Sequence, residues 1–328
     1  MSRKNDTDTD KPATMKAMTY SRYGESEVLE VSNVPIPKVP PGSVLVRVKA
    51  AAVNPVDWKI MAGGLDALMD IHFPVIPGWD VAGVVDAVGF DTPEFAVGDE
   101  VYSYGRRDSV QGGTFAELVM LPAPIVSRKP AGLTWEQAAG LPLAGLAAQR
   151  TLDTFDLPAV AAAGGTLLIH NGSGGVGRAA IQIAAHAGKG LRILATASPT
   201  HHDRLRELGA EPVEYGDGLV ERVRELVPDG VDAVADFVGG VLQQTLAVLR
   251  TGGQHASLAD NTVTEHGGRY VWVRPDSKEL DRLSALVDAG QLTVDVARTW
   301  PLQELADAFS ESRDGHTSGK LVLTPFTD

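Results

Sequence analysis

The stretch of sequence that decides the fold is His170-Asn171-Gly172-Ser173-Gly174-Gly175-Val176-Gly177. It follows an apolar segment, residues 166–170, and it opens an Ala/Ile-rich segment, residues 178–187. Glycines at this spacing indicate a dinucleotide site when they join a strand to a helix, and both flanks meet that condition. Gly172 permits a tight turn, Gly174 lets the backbone approach a pyrophosphate, and Gly177 lets strand and helix pack closely. The start of the helix then offers N–H groups and a positive dipole end to the anion.

The residues on both sides of this turn alternate between strand-like and helix-like patterns from about residue 133 onward. Apolar strand-like segments recur at 192–197, 231–237 and 254–258, and helical patterns lie between them. This alternation predicts an α/β fold in which helices cover both faces of a doubly wound parallel sheet. We therefore expect a Rossmann domain that spans residues 134–290.

The remainder of the sequence has a different pattern. From residue 15 to about 129, short strand-like segments are separated by turns such as Pro40-Pro41-Gly42 and Gly98-Asp99. They predict a β-rich domain, and the strand-like segment Lys320–Thr324 is expected to return to it, so that 15–133 and 291–328 form one unit. Residues 1–14 are polar and predict a disordered tail.

Composition excludes several classes of function. The 328 residues contain 42 acids and 29 bases, and the net charge of −13 disfavours binding to nucleic acids and to anionic membranes. With no cysteine, neither a disulfide nor a thiolate zinc site is possible. No stretch reaches the ~18 apolar residues of a membrane span, and residues 2–12 lack the apolar core of a signal peptide. We expect a cytoplasmic protein.

The choice of nicotinamide cofactor depends on the end of the next strand. An NAD enzyme usually places Asp or Glu about 20 residues beyond the motif, but the residues here are Ala195-Thr196-Ala197-Ser198-Pro199. A hydroxyl and nearby cationic groups suit a 2′-phosphate instead, and the candidates are Ser198, His201, His202 and Arg204. We therefore predict NADPH, bound also by the whole turn from Gly172 through Ser173, Gly174, Gly175 and Val176 to Gly177. The alternatives are a turn without ligand and, for each histidine, a solvated helix start.

Several further segments resemble the medium-chain dehydrogenase/reductase superfamily, in the order in which that family has them. They are Asn54-Pro55-Val56-Asp57, residues 77–85, Val97-Gly98-Asp99-Glu100-Val101, residues 112–117 and Gly319-Lys320-Leu321-Val322-Leu323. Within the superfamily the chain is similar to the quinone oxidoreductase (zeta-crystallin-like) branch. The resemblance implies a GroES-like (chaperonin-10-like) catalytic domain beside the Rossmann domain, with the active site in the cleft between them. It also implies a homodimer, for which strand pairing near Gly268–Val273 is a candidate.

The same resemblance implies that no metal is bound. Zinc-dependent relatives carry a cysteine where Asn54 stands and a His-Glu pair where Trp79-Asp80 stand. Their third ligand falls near Leu141-Pro142. Amide, indole and aliphatic side chains are poor zinc ligands, so we predict zinc-free chemistry.

The expected absence of zinc limits the types of reaction that this chain could catalyse. Without a Lewis acid, hydride addition to a quinone or an α,β-unsaturated carbonyl is favoured because the substrate delocalises the developing negative charge. The nicotinamide supplies the difficult chemistry, and the protein mainly orients the two rings. The leading hypothesis is an NADPH:quinone oxidoreductase. The alternatives are an enone or enal (alkene) reductase and a non-catalytic NADPH-binding sensor.

Four side chains are candidates for roles in this chemistry or in the walls of the cleft. Asn54 is a candidate hydrogen-bond donor to substrate or cofactor, or else a turn residue before proline. Tyr102 and Tyr104 share a strand face, and we predict a catalytic Tyr102 at the pocket, with packing as the alternative. Trp79 is expected to form a wall of the cleft, unless it serves only the core. Lys320 is expected to approach the cofactor, with a solvated lysine as the alternative.

The carboxyl ends of two later strands complete the predicted site. Val238 and Gly239 follow one strand, and Ser257 ends the next. Ligands of doubly wound folds lie at these ends of the strands, so we expect these residues to contact the nicotinamide half of the cofactor.

Overall fold

The structure is a computed structural model that describes residues 14–315 and 317–327. The predicted tail, residues 1–14, lies outside these ranges except for Thr14, which is the first residue of a strand. None of the helices in the described part of the chain combines the length and the apolar character that a membrane span requires.

Strands are the main secondary-structure elements in the first part of the chain. They are β1 (Thr14–Thr19), β2 (Glu30–Pro35), β3 (Ser43–Val53), β4 (Asp70–Ile76), β5 (Asp80–Val88), β6 (Glu100–Tyr104), β7 (Ser109–Gly112), β8 (Leu118–Pro122) and β9 (Val126–Arg128). One helix, α1 (Pro55–Met61), interrupts them directly after β3. It starts there because Asn54 is extended and Pro55 occupies the first helical position, where its missing N–H costs nothing.

Helices and strands alternate in the middle of the chain. Their order is α2 (Trp135–Gly140), α3 (Pro142–Leu152), α4 (Leu157–Ala162), β10 (Thr166–His170), α5 (Gly175–Ala185), β11 (Arg192–Thr196), α6 (His202–Glu207), β12 (Glu211–Val213), α7 (Leu219–Leu226), β13 (Val231–Asp236), α8 (Leu242–Val248), β14 (Leu249–Ser257), β15 (Arg269–Tyr270) and α9 (Ser277–Asp288). Short 3-10 turns lie at Pro199–His201 and Asn261–His266.

Six of these strands form a parallel sheet in the order β12-β11-β10-β13-β14-β15. All five residues of the central strand β10 are buried. Leu167 and Ile169 face the main core, whereas Leu168 belongs to a second cluster on the opposite face. A strand that is covered on both faces has a nearly continuous run of apolar residues, which is why residues 166–170 predicted a buried strand. The predicted doubly wound α/β fold is confirmed.

The end of the chain joins the β-rich part. Its elements are β16 (Val296–Pro301), α10 (Leu305–Asp314) and β17 (Lys320–Thr324). A seven-stranded sheet runs in the order β16-β17-β3-β5-β6-β9, and β8 also pairs with β3. Because β17 lies antiparallel to β3, Leu321 is opposite Val53, and Lys320 reaches the residues that begin α1. The exact domain limits near residues 133 and 290 stay predictions.

Candidate active site

A cavity of about 560 Å³ lies where the two sheets meet. The glycine turn forms one side of it, and the start of α1 and the start of β17 form the other. Its walls are mainly apolar or aromatic, and include Val53, Val56, Leu65, Trp79, Tyr104, Leu143, Phe237, Val238, Leu258, Val271, Trp272 and Val273. The combination of a large apolar pocket with a few polar groups is typical of a binding site for a cofactor or a small molecule.

The glycine turn is held to the sheet by backbone hydrogen bonds. The Gly172 amide donates to the Thr196 carbonyl over 2.8 Å, and the Asn171 amide donates to the Thr196 hydroxyl over 3.0 Å. A Cβ on Gly177 would lie 2.1 Å from the Asn171 carbonyl oxygen, so only glycine fits this contact between turn and helix. Gly174 caps α5 without a side chain, which leaves the first amides of an 11-residue helix open toward the cavity.

The polar floor of the cavity consists of Lys320 and Asn54, and the fully buried Asp80 lies directly beneath them. The Lys320 ammonium lies 2.5 Å from Asn54 Oδ1, 3.2 Å from the Val53 carbonyl oxygen and 3.8 Å from Asp80 Oδ2. Asn54 Nδ2 in turn donates to Asp80 Oδ2 over 2.9 Å. Lys320 is only 6% exposed, so the alternative of a solvated lysine is wrong. Asn54 is both the residue before a helix-starting proline and a bridge between a buried cation and a buried carboxylate.

Burial changes the acidity of these groups. It lowers the pKa of Lys320, although Asp80 and Asp57 oppose the change, and it raises the pKa of Asp80 to about 6 against the attraction of Lys320. Asp57 Oδ2 accepts a hydrogen bond from the backbone N–H of Asn54 over 2.8 Å, and burial raises the pKa of Asp57 to about 8. Burial thus raises the pKa of both carboxyl groups beneath the floor, although Lys320 attracts their charged forms.

A buried carboxylate holds the two loops that follow β13 and β14. Asp236 Oδ1 accepts the amides of Val238 and Gly239 over 2.9 and 3.0 Å, and Oδ2 accepts the Ser257 hydroxyl over 2.7 Å. The Ser257 oxygen then accepts the amides of Ala259 and Asp260. Val238 lines the cavity, whereas the fully buried Ser257 does not. The predicted cofactor contact by Ser257 is corrected to an indirect role, and Asp236 is a residue that the sequence analysis missed.

The position of Tyr102 requires a second correction. Its hydroxyl is buried in the contact with α9, where it donates to the Leu280 carbonyl over 2.7 Å and lies 2.8 Å from Ser284 Oγ. Tyr104 lines the cavity instead and packs edge-on against Trp79, with ring centroids 5.8 Å apart. Both tyrosines share one strand face as predicted, but that face runs from the cavity into the contact with α9.

The residues predicted to bind a 2′-phosphate are not equally available. Arg204 forms two hydrogen bonds to the Asp295 carboxylate, over 2.9 and 2.8 Å, and a third to Glu207. Its guanidinium is thus paired with two carboxylates, and its contact with a 2′-phosphate stays a prediction. His202 Nε2 lies 3.2 Å from the Ala197 carbonyl oxygen. Ser198, whose hydroxyl lies 2.8 Å from that of Thr200, and His201 are half-buried and stay candidates.

Comparison with known proteins identifies the family. Residues 40–131 match the alcohol dehydrogenase GroES-like domain, and residues 208–323 match the zinc-binding dehydrogenase domain. The chain is 36% identical to the chloroplastic NADPH-dependent alkenal/one oxidoreductase of Arabidopsis thaliana over 96% of this chain and 80% of that protein. The chain belongs to the medium-chain dehydrogenase/reductase superfamily.

Two further comparisons agree with this assignment. The 2-methylene-furan-3-one reductase of Solanum lycopersicum is 34% identical over 96% of this chain and 80% of that protein. The structure of the quinone oxidoreductase from Coxiella burnetii superposes with a TM-score of 0.83, at 31% identity, and covers 95% of this chain and 99% of that one. These matches confirm the predicted quinone oxidoreductase branch. The chain is thus an oxidoreductase with a pyridine nucleotide cofactor and a small-molecule substrate.

The superfamily includes zinc enzymes, but the residues that stand where the resemblance places the zinc ligands differ in this chain. The amide of Asn54, the carboxylate of Asp80 and the ammonium of Lys320 meet there. A buried ammonium within hydrogen-bonding distance of the amide competes with a metal ion for the same oxygens. In residues 14–315 and 317–327, no group of three or more His, Asp or Glu side chains is arranged to hold a metal. This donor set does not fit tetrahedral zinc.

Three residues that line the cavity of this medium-chain dehydrogenase/reductase were not predicted from the sequence to belong to the site. Lys59 is exposed on α1, with its ammonium 5.5 Å from the centre of the Trp58 ring. Tyr270 and Trp272 come from β15 and the residues after it. Their sequence positions are far from the glycine turn, and only the sheet order brings them to the cavity.

The buried position of the Tyr102 hydroxyl against α9 predicts the effect of Tyr102→Phe. Loss of a buried hydroxyl bonded to Leu280 and Ser284 should lower the free energy of unfolding by about 1 kcal/mol. Because the hydroxyl does not reach the cavity, kcat/KM should change less than about twofold, which is under 0.5 kcal/mol of barrier. Urea unfolding and steady-state kinetics measure the two quantities. A large loss of turnover at unchanged stability would restore Tyr102 as a catalytic residue.

Proposed function

We propose that this chain is an NADPH-dependent, metal-free oxidoreductase that reduces quinones by hydride transfer. The observation that carries the proposal is the cavity itself, in which the glycine turn faces an apolar chamber whose floor holds an ammonium at the position of the zinc. When bound, NADPH supplies the hydride, and the chain supplies orientation and charge.

The walls of the cavity favour a flat, apolar acceptor. Trp79, Tyr104 and Trp272 line it together with aliphatic side chains. Among the described residues that line it there is no Asp or Glu. A conjugated carbonyl compound therefore meets no carboxylate that would repel the negative charge it acquires on reduction.

The polar floor has the charge that the reaction needs. Hydride addition places negative charge on an acceptor oxygen, and the Lys320 ammonium held by Asn54 stabilises charge that develops close to it. Because Asn54 and Asp80 fix the ammonium before the acceptor binds, little reorganisation is needed at the moment of transfer. This is the role that the chain's own residues take in place of a Lewis acid.

The preference for NADPH rests on the end of β11. Ser198 and His201 are half-buried there, and no carboxylate stands where an NAD enzyme places one. The name of the Arabidopsis relative, an NADPH-dependent enzyme, points in the same direction.

A second candidate function is the reduction of an activated carbon–carbon double bond. The two curated relatives described above are named for an alkenal/one substrate and a 2-methylene-furan-3-one substrate. The same floor would stabilise the negative charge on the oxygen of an enone.

We also propose that two copies of this chain pair along β15. This two-residue strand is the edge of the six-stranded sheet, and the side chains of Tyr270 and Trp272 beside it are 40% and 42% exposed. Exposed edge strands with large apolar side chains favour pairing with another chain. Sedimentation equilibrium should give twice the mass of one chain, and a monomer at micromolar concentration would contradict the proposal.

The cofactor preference is tested by titration with NADPH and NADH. We expect tighter binding of NADPH, and we expect Ser198→Asp to weaken NADPH binding by about tenfold or more while NADH is little affected, because the new carboxylate repels the 2′-phosphate. Ser198→Asn is the matched uncharged control and should have a smaller effect. Equal losses for both nucleotides in Ser198→Asp would mean that Ser198 does not lie at the 2′-phosphate.

The acceptor is tested on protein that has been treated with a chelator. NADPH oxidation is followed with a quinone and with an enone, and the products are analysed. A hydroquinone supports the main proposal, and a saturated carbon–carbon bond supports the alkene reductase. Tight NADPH binding without turnover of any acceptor would favour the non-catalytic sensor, and activity that returns only with zinc would contradict metal-free chemistry.

A further inference from the structure

The helix that follows the glycine turn holds the segment leading to Lys320. Gln182 on α5 is 7% exposed and binds Thr293 three times. Its Nε2 donates to the Thr293 carbonyl over 3.1 Å, and its Oε1 accepts the Thr293 amide and hydroxyl over 2.9 and 3.0 Å. The chain just before β16 is therefore fixed to the cofactor-binding helix.

One turn earlier on the same helix face, Arg178 extends this contact. Its Nε donates to the Ser173 carbonyl over 2.9 Å, inside the glycine turn. Its two terminal nitrogens bind the Asp295 carboxylate and the Ser318 hydroxyl. Through these bonds Arg178, which is 7% exposed, connects the glycine turn to both ends of the segment that contains β16 and α10.

Asp295 is the residue at which these contacts meet. Its carboxylate is shared by Arg178 from α5 and Arg204 from α6. Its carbonyl oxygen accepts the Lys320 amide over 2.8 Å. Gly319 has a φ of +120°, and a Cβ there would lie 2.6 Å from that same oxygen, so the approach leaves no room for a side chain.

We propose that Asp295 is a positioning residue that couples occupation of the glycine turn to the placement of Lys320 in the floor of the cavity. Its side chain is bound to the helix that opens at the glycine turn, and its backbone is bound to the residue that carries the ammonium. The inference deepens the proposed function and rests on its nicotinamide cofactor.

The charges explain why Asp295 suits this role. Burial disfavours its ionised form, but hydrogen bonds and charge attraction from Arg204 and Arg178 hold its pKa below its usual value. A neutral group at this position would leave two guanidinium groups facing each other without a shared counter-ion. Loss of one partner of a buried ion pair is costly because the other charge stays buried. Residue 295 would then lose its side-chain attachment to α5, although Thr293 stays bound to Gln182, and the Lys320 backbone that bonds to residue 295 would shift with it.

The test compares Asp295→Asn with Glu207→Gln. Both substitutions remove one carboxylate partner of Arg204, but only the first also removes the partner of Arg178. We expect the NADPH dissociation constant to rise about tenfold in Asp295→Asn and to stay within about twofold of the wild type in Glu207→Gln, whose side chain is largely exposed. Fluorescence titration measures both values.

Hydrogen exchange supplies a measurement that a merely structural role would not change. In the wild-type protein, NADPH should slow exchange of the amides of residues 318–321. In Asp295→Asn this effect of NADPH should disappear, and in Asp295→Glu, which keeps the charge, it should partly return. If Asp295→Asn does not fold, Arg204→Gln is the milder variant, because it keeps the pair between Arg178 and Asp295, and an intermediate loss of the effect is expected.

Two results would overturn the inference and one would contradict the proposed function itself. Wild-type NADPH affinity in Asp295→Asn, or unchanged NADPH-dependent protection of residues 318–321 in that variant, contradicts the coupling. Neither measurement needs turnover, so a chain that binds NADPH but reduces no acceptor still permits the test. A wild-type chain that binds neither NADPH nor NADH contradicts the cofactor assignment on which both rest.

Discussion

The contact on which the site depends is the burial of the Lys320 ammonium against Asn54 and Asp80. An isolated ammonium is far too costly to remove from water, so it is tolerated only where oxygens replace its hydration. The floor provides them from three places: the end of β3, the residue before α1, and the start of β5. Because β17 pairs antiparallel with β3, the end of the chain delivers Lys320 to this point. The closing strand, the floor of the cavity and the start of α1 therefore form one structural unit.

The same residues account for how this chain differs from the zinc enzymes of its superfamily. A metal ion would need soft or imidazole ligands with free lone pairs at this position. Here the Asn54 oxygen accepts from an ammonium, and the amide nitrogen donates to Asp80. The Lys320 ammonium thus engages the oxygens that a metal ion would need, which is why this donor set does not fit zinc.

The fold could be predicted from the sequence because the features that specify it lie close together in the chain. The apolar run of β10 and the glycines after it specify a strand, a turn and a helix through neighbours in the chain. The corrections at Tyr102 and Ser257 and the ion pairs of Arg204 have one common cause. Each side chain is engaged by a partner that no local pattern marks: Leu280 and Ser284 for Tyr102, Asp295 for Arg204, and Asp236 for Ser257. Residue types indicated which groups are able to bind a ligand, but only the packing shows which of them are already bound.

The buried carboxylates around the cleft also resolve an electrostatic difficulty. A chain with a net charge of −13 should repel a cofactor that carries several phosphate charges. Near the cavity, however, three Asp carboxylates face donors of the protein. Asp80 faces Leu143 and Asn54, Asp236 faces the amides of Val238 and Gly239 and the Ser257 hydroxyl, and Asp295 faces two arginines. These carboxylates hold the walls in place while their charge is compensated locally. The cavity itself is left with the open amides of α5 and the cations Lys59 and Lys320, so the field that a polyanionic cofactor meets there is set by them rather than by the net charge.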